Sequence, residues 1–537
     1  MNIFSNFTPP NPTRPFKLKK SMPPQEPEYD KEGILSFSLE DNLTKFRYFM
    51  HSPDNSDLKI RNFNTQINGK TYSSAIIFYD GLVDSNIINN YILRQLMSTQ
   101  NTEVSKDLKE CIVKDILSQN QIDFQQTFDE AIDSALTGNC ILLIDSLNVA
   151  ISCDTKKLPQ RSIGKSENEM STKGPAESLV ESLRMNTGLI RKFVKDENLV
   201  FEDIKIGSSG KSTCTIAYIS SIANDSLKSE VKRRLSNIDV DYILDVGQLE
   251  QLIEDRTYLI SPVILSTEKP DRVASHLFEG RIAILLAGSP DALVLPAVLN
   301  DFMHTSEDMY KRFPYSILAR VFRIPAMMLS VLLPGLYIAI VTFHQEMIPT
   351  DLLFAIAAAR EKVPFPLVVE LLIMEIAFEI IREASIRTPS PIGPTLGIVG
   401  TLILGQAIVS ANVVSPILII IVALTGISSF AVANFSLNFT FRILRFAYIF
   451  LGAFAGFLGI SLGLLIHFCV LATTTSFGVP YLAPYSPVRP FLSSSDTANV
   501  PIWKQENRPQ FLRPKRTKRQ PKISRKWILN SRSDNNG

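Results

Sequence analysis

Charge is what the last third of this chain lacks. From Thr388 to Phe441, 54 residues pass without one Asp, Glu, Lys or Arg. A bilayer core is crossed by roughly 20 apolar helical residues, so the run holds about two crossings, with a polar hinge at Ser410, Ala411, Asn412, Ser415 and Pro416. A soluble domain of ordinary composition is excluded there. The run Phe446 to Val488 is also charge-free except for His467, and the apolar run Phe322 to Phe343 precedes both. Disulfide and metal frameworks are missing as well: Cys111, Cys140, Cys153, Cys214 and Cys469 are scattered, odd in number and without CxxC spacing. That usage fits a reduced, cytosolic setting for the soluble part. The first 20 residues carry no apolar core of the kind a secretory signal needs, so nothing there would export the soluble part. The net charge of +2 says little about nucleic acid, since it hides a basic tail rather than a basic domain; no nucleic-acid partner is expected.

What is present divides the chain into two kinds of segment. Residues 1–56 read as a disordered, Pro-rich arm ending in a short helix, with Pro9, Pro10, Pro12, Pro15, Pro23, Pro24 and Pro27 among Lys and Asn. Residues 57–153 alternate short apolar strands with helices: a strand at Ala75 to Tyr79, helices at Ser85 to Met97 and Phe124 to Leu136, a strand at Cys140 to Asp145. Residues 154–174 are a polar linker, and residues 175–315 repeat the α/β alternation. There the pattern predicts a helix from Ala176 to Lys195, strands at Val200 to Ile206, Cys214 to Ile219 and Tyr242 to Val246, helices at Asp225 to Leu235 and Leu249 to Asp255, and a hairpin split by Gly288-Ser289-Pro290-Asp291. The fold class is therefore a two-part N-terminal α/β soluble domain followed by an all-α multi-span membrane domain over 316–490 and a basic tail over 491–537.

One motif invites a nucleotide and fails. Gly207-Ser208-Ser209-Gly210-Lys211-Ser212-Thr213 has the ending of a phosphate-binding loop, but Lys205 stands where the first Gly belongs. The segment after it is β-branched, whereas a phosphate cradle opens a helix. A hairpin turn is the expectation. No Ser/His/Asp set or metal-ligand cluster emerges from the soluble part either, so no enzyme activity and no cofactor are expected.

Inside the apolar third, polar residues are few enough to name. The segment Val363 to Glu383 carries Glu370, Glu375, Glu379 and Glu383, the last three on one helical stripe, with Arg382 and Arg387 close by. A carboxylate in hydrocarbon costs several kcal/mol and faces a cavity, a partner or the interface. Two readings stay open: Glu370, Glu375 and Glu379 line a cation path in an assembled complex, or they pair with Arg382 and Arg387. For Asn412, Asn434 and Asn438 interhelical hydrogen bonding is the expectation. Gly452, Gly456, Gly459 and Gly463 fall on one helix face, a spacing that suits close backbone contact. The tail from Lys504 to Arg532 holds eleven Lys or Arg against Glu506 alone, which suits anionic membrane lipid or a solvated, disordered state.

Orientation leaves a conflict. Lys311, Arg312, Arg320 and Arg323 place the entry to the first span on the cytoplasmic side. Five apolar segments, near 322–343, 364–381, 395–411, 416–438 and 446–472, put the two ends on opposite faces, although both are flanked by basic residues. Arg442 and Arg445 suit a cytoplasmic loop between the last two segments. Four to six membrane helices with both ends inside is the expectation.

Several separated motifs carry a family resemblance: Gly174-Pro175-Ala176-Glu177 with Leu183-Arg184-Met185-Asn186-Thr187, Phe322-Arg323-Ile324-Pro325, Pro391-Ile392-Gly393 with Gly397-Ile398-Val399-Gly400, Gly405-Gln406-Ala407, Val414-Ser415-Pro416 and Ser476 to Tyr481. In this order they resemble the A-subunit family of bacterial spore germinant receptors, with Pro394 and Ala433 as departures. The resemblance implies a spore inner-membrane protein that works with a transporter-like B subunit and a lipoprotein C subunit. It also implies a homo-oligomer whose membrane helices form a nutrient-gated channel for monovalent cations; a non-conducting signal-transmitting or scaffold subunit is the alternative.

Overall fold

The computed structural model describes residues 16–23, 28–67, 70–98, 108–119, 121–157, 169, 173–387, 406–432, 434–486, 501–521 and 524–525. Its N-terminal half is one pattern used twice. In the first unit, helix α1 (Leu39–Phe49) leads into the hairpin β1 (Leu58–Ile67) and β2 (Lys70–Tyr79). Helical segments over 85–97 and 108–116 come next, then β3 (Ile122–Gln125), α2 (Phe128–Leu136), β4 (Asn139–Ile144) and β5 (Ala150–Asp154). In the second, α3 (Leu183–Phe193) leads into β6 (Leu199–Ile206) and β7 (Ser212–Ile219). Helices α4 (Asp225–Ser236) and α5 (Val246–Ile253) come next, then β8 (Leu265–Thr267), α6 (Pro270–Glu279), β9 (Ile282–Leu286) and β10 (Ala292–Leu295). The sheets have equivalent orders, β1-β2-β4-β5-β3 and β6-β7-β9-β10-β8, and every pairing is antiparallel.

The repeat extends to single side chains. Asn42 of α1 exchanges hydrogen bonds with the backbone of Ser36, and Asn186 of α3 does the same with Val180. Gly138 and Gly280, each after the helix that precedes an inner strand, both take left-handed backbone, with φ of 98° and 99°. Leu82 and Ile222 occupy the same turn after the second strand. Each accepts a backbone N–H through its carbonyl: from Lys157 in the first unit, at 2.9 Å, and from Lys515 of the C-terminal tail in the second, at 2.9 Å.

Several expectations are corrected here. The short helix α1 is not ahead of the first unit but in its core, since Leu39, Leu43, Phe46 and Phe49 pack with Phe128 and Ala131. The helix expected from Ala176 begins only after its N-cap Ser182. Before it, the Asn186 side chain holds Val180 at both backbone groups and the Leu179 N–H donates to the Glu268 carbonyl, so 179–180 cannot wind. No strand forms over Tyr242 to Val246: Tyr242 makes one isolated bridge to Gly210, and Asp245 caps α5 by accepting from the Gly247 N–H. In the first unit α2 starts at Phe128, where Thr127 and Glu130 form a capping box, and β3 takes the residues before it. The glycine-rich motif is the β6–β7 turn. Its Ser208, Ser209 and Gly210 N–H groups bond the carbonyls of Val240 and Asp241, which leaves them no role with phosphate.

The second half is helical. Helix α7 (Phe313–Phe343) runs through Pro325 and Pro334; α8 (Thr350–Arg360), α9 (Leu367–Arg387), α10 (Pro416–Ser429) and α11 (Phe435–Thr473) complete it. Two of these, α7 and α11, are long and apolar enough to cross a membrane. The expected segment near 395–411 lies mostly outside the described residues. Arg442 and Arg445 are not in a loop: both sit inside α11.

That helix is in fact two arms. Ala455 and Gly456 leave helical geometry, Gly456 with φ of 55°. Beyond the break the chain turns back, so that a Cβ on Gly463 would stand 3.1 Å from the Tyr448 ring; a straight helix would hold residues fifteen apart at about 22 Å. The turn lies against Phe343 and His344 at the end of α7. Both arms return to the second α/β unit: Thr440 Oγ1 donates to the Ile260 carbonyl at 2.7 Å, Ser476 Oγ to the Val263 carbonyl at 2.6 Å, and the Phe477 N–H to Asp255 Oδ2 at 2.8 Å.

Residues beyond the last apolar segment are fixed by packing. Phe477, Val479, Tyr481 and Ala483 are buried in the core of the second unit. Of the basic tail, Leu512 is fully buried in the same core, and Arg513 donates to the Leu18 carbonyl of the N-terminal arm, itself buried.

Candidate functional site

The four glutamates of α9 meet different fates. Glu375 is fully buried and accepts from Arg445 Nη1 of α11 at 2.8 Å. Arg445 in turn donates from Nε to the Ser330 carbonyl of α7 at 2.8 Å. That carbonyl is free because its helical partner would be the N–H of residue 334, a proline. Pro334 thus creates an acceptor in the middle of an apolar helix, and Arg445 uses it to join α7, α9 and α11.

One turn further along α9, Glu379 pairs with Arg442 and lies 3.8 Å from both Arg382 Nη1 and Arg445 Nη1. Arg382 donates to Ser429 Oγ of α10 at 2.7 Å and lies over the rings of Phe378 and Phe430. The closest pairs with Glu375 and Glu379 are made by Arg445 and Arg442; the expected Arg382 stands at the longer 3.8 Å from Glu379, and the Arg387 side chain lies outside the described residues. Glu375 Oε1, Glu379 Oε1, Arg445 Nη2, Arg382 Nε and Arg382 Nη1 have no hydrogen-bond partner. Buried ions left part-satisfied are costly, so the cluster has capacity for further polar contacts.

Glu370 stands apart. Fully buried, it accepts from the Ser415 N–H at 2.6 Å, and Ser415 is the N-cap of α10 with Pro416 after it. The carboxylate thereby sits at the positive end of the α10 dipole, with Arg360 Nε 3.5 Å away. Glu383 is exposed.

Of the three asparagines, Asn434 has a local role. Asn412 is exposed and left-handed, with φ of 53°. Asn434 caps α11, accepting from the Leu437 N–H at 3.1 Å, and Asn438 Oδ1 is buried without a hydrogen bond. The glycines are not one stripe. Gly452 meets α7, where a Cβ would stand 2.5 Å from the Gly335 carbonyl oxygen; Gly456 forms the turn; Gly459 and Gly463 let the returning arm lie on Leu451.

Sequence reading missed Arg442, Arg445 and the Pro334–Ser330 pairing. The signal was there: two acids four apart on one helix and two arginines three apart on another are complementary on antiparallel helices. Among the described residues no group of three or more His, Cys, Asp or Glu is placed to hold a metal ion.

Three comparisons bear on this arrangement. The family model described as Bacillus/Clostridium GerA spore germination protein matches residues 46–511. Spore germination protein KA of Bacillus subtilis (strain 168) is 38% identical over 498 residues, 93% of this chain and 91% of its own. Spore germination protein GerLA of Bacillus cereus is 35% identical, over 91% of this chain and 98% of its own. An uncharacterized membrane protein of Bacillus subtilis (strain 168), YfkQ, is 35% identical over 90% of this chain and 93% of its own. The crystal structure of the N-terminal domain of the A subunit of the Bacillus megaterium spore germinant receptor GerK3 aligns with 50% of this chain and 99% of its own, at 33% identity and a TM-score of 0.40.

Proposed function

The chain belongs to the Bacillus/Clostridium GerA spore germination protein family, and from that premise we propose that it is the A subunit of a germinant receptor that oligomerises as a nutrient-gated channel for monovalent cations in the spore inner membrane. Its partners in this reading are a transporter-like B subunit and a lipoprotein C subunit. The α/β domain and the tail both lie on the cytoplasmic side: the tail packs on the second α/β unit, and the α11 break at Ala455–Gly456 returns the chain to that same unit. This supports an even number of crossings, with both basic flanks on one side.

The observation that carries the channel reading is the buried Glu375–Arg445–Ser330 junction with its unbonded polar atoms. Three apolar helices meet there through charge as well as packing, so a small rotation of any of them exchanges partners among Glu375, Glu379, Arg442 and Arg445. In the resting chain the arginines neutralise the acids; in the open assembly the acids face the path. The pairing within one chain also favours a second reading, a subunit that transmits a signal without conducting.

Potassium efflux from proteoliposomes holding this chain with its B and C subunits separates them. Nutrient-triggered flux is expected, with Glu375→Gln raising the basal leak several-fold because Arg445 loses its partner. No flux from the wild-type assembly would leave the signal-transmitting reading; flux indifferent to Glu375→Gln and to Glu379→Gln would remove the junction from the gate.

A further inference from the structure

Where the second α/β unit meets α7 there is a cavity of about 240 Å³ whose lining includes His304, Arg320, Arg323, Val321, Ile324 and Tyr485. Its charges do not cancel. Asp308, almost fully buried, is the acid beside both arginines, and Arg323 takes it with bonds of 2.8 and 3.3 Å while also donating to the Met303 carbonyl at 3.0 Å. Arg320 Nε stands 3.8 Å from the same carboxylate, beyond hydrogen-bond reach, and has no hydrogen-bond partner; neither has His304 Nδ1. Two guanidiniums thus share one carboxylate, and the surplus positive charge lies on a side chain only 17% exposed.

The rim is apolar and open. Val321 and Ile324 are 57% and 51% exposed, and Phe322 between them 68%, on the first turns of the helix that enters the membrane. A polar pocket with one unbalanced cation and an apolar lip facing lipid is complementary to an amphiphile with an anionic head. A free inorganic anion would use the arginine and leave the lip bare.

We propose that this cavity binds the headgroup phosphate of an anionic phospholipid, with Arg320 Nε and His304 as its contacts and the acyl chains laid along Val321 and Ile324. The site rests on α7 crossing the membrane and is independent of whether the assembled receptor conducts. A charge-assisted bond from guanidinium to phosphate roughly doubles the strength of a neutral one, which is what retains one lipid through detergent extraction.

Native mass spectrometry of the chain in mild detergent, titrated with palmitoyl-oleoyl phosphatidylglycerol or the matching phosphatidylcholine, tests this. One phosphatidylglycerol per chain is expected to be retained over phosphatidylcholine, with Arg320→Gln weakening that retention ~tenfold and Arg320→Lys restoring part of it. Val321→Trp, at an exposed position, fills the lip without touching the charge and should weaken retention by itself, so the test survives if Arg320→Gln does not fold. Inorganic phosphate at millimolar concentration should not displace the lipid. Equal retention by wild type, Arg320→Gln and Val321→Trp, or displacement by phosphate alone, overturns the proposal. Because potassium flux is read separately, loss of the lipid site and loss of the channel reading are distinguishable.

Discussion

The two α/β units follow the same path and are closed differently. In the first, the chain leaving β5 closes its own unit: Lys157 donates its N–H to the Leu82 carbonyl at 2.9 Å and pairs with Asp84, and Lys156 lies over Gly138. In the second, the chain leaving β10 turns away to become the junction with α7, and the vacated place is taken by the tail: Lys515 donates to the Ile222 carbonyl at 2.9 Å and pairs with Asp225, and Pro514 lies over Gly280. The difference teaches what the second unit gave up. Its own closing segment carries Asp301, bonded to Arg281, and Leu299, whose N–H reaches the Tyr481 carbonyl. A repeat that grips the helices needs a strap from elsewhere, and basic residues that look solvated supply it.

The comparison is broken most severely where the two units touch. Arg191 is fully buried, donates to both carboxylate oxygens of Asp57 at 2.7 and 3.1 Å, and lies 4.0 Å from the Tyr79 ring centre. Burial pushes the Asp57 carboxyl above its ordinary value even with Arg191 beside it. Arg191→Met leaves that acid alone and should cost about 3–5 kcal/mol. Hydrogen exchange followed by mass spectrometry should show β1, β2 and β6 losing protection together; a rise confined to one unit would mean that the units fold independently.

An effect of similar size isolates the strap. Removing residues 501–537 exposes the site of Leu512, fully buried, and frees the carbonyls of Phe278 and Ile222 that Arg508 and Lys515 now satisfy. One leucine contributes ~2–3 kcal/mol by burial and the lost hydrogen bonds ~1 kcal/mol each. Exchange should rise in α4, α6 and β9 and stay unchanged in β2, α2 and β4. Equal loosening of both units would show that the tail is not a substitute for the missing segment.

How far the sequence carried this picture depends on the kind of signal. Strands β2, β4, β6 and β7, the hairpin at Gly288 and the apolar, helical character of the last third were legible because apolar periodicity and charge-free length are local properties, whereas β1, β3, β5 and β8 gave no such signal. The repeat was not: its two copies share turn geometry and the Asn42/Asn186 lock more than they share side chains, and such equivalences show only once the sheets are built. The α11 hairpin was hidden by its own glycines. At one-face spacing they read as a packing stripe, whereas Gly456 is needed for a left-handed turn and Gly459 and Gly463 for the arm that comes back. Glu379 and Glu375 were read with Arg382 and Arg387 of their own segment as partners, whereas Arg442 and Arg445 stand 63 and 70 residues further on and meet them only once the two helices are set antiparallel.

The finest test of the two closures uses their equivalent glycines. Gly138 and Gly280 have φ of 98° and 99°, so alanine at either should cost ~1–2 kcal/mol from backbone strain alone. What surrounds them differs. A Cβ at Gly138 would stand 3.0 Å from the Leu82 carbonyl oxygen, a backbone atom already held by Lys157 and unable to give way. At Gly280 it would stand 3.3 Å from Ile222 Cγ2 and from Pro514 Cβ, the second of which belongs to the strap and can shift by tenths of an ångström. Gly138→Ala should therefore lower the thermal midpoint more than Gly280→Ala, by a difference under ~1 kcal/mol. Deleting the tail should leave the cost of Gly138→Ala unchanged and reduce that of Gly280→Ala toward the strain term, because one of its two close neighbours has gone. A double-mutant cycle between Gly280→Ala and the tail deletion that closes to zero would show that Pro514 does not stand in the place that Lys156 fills in the first unit.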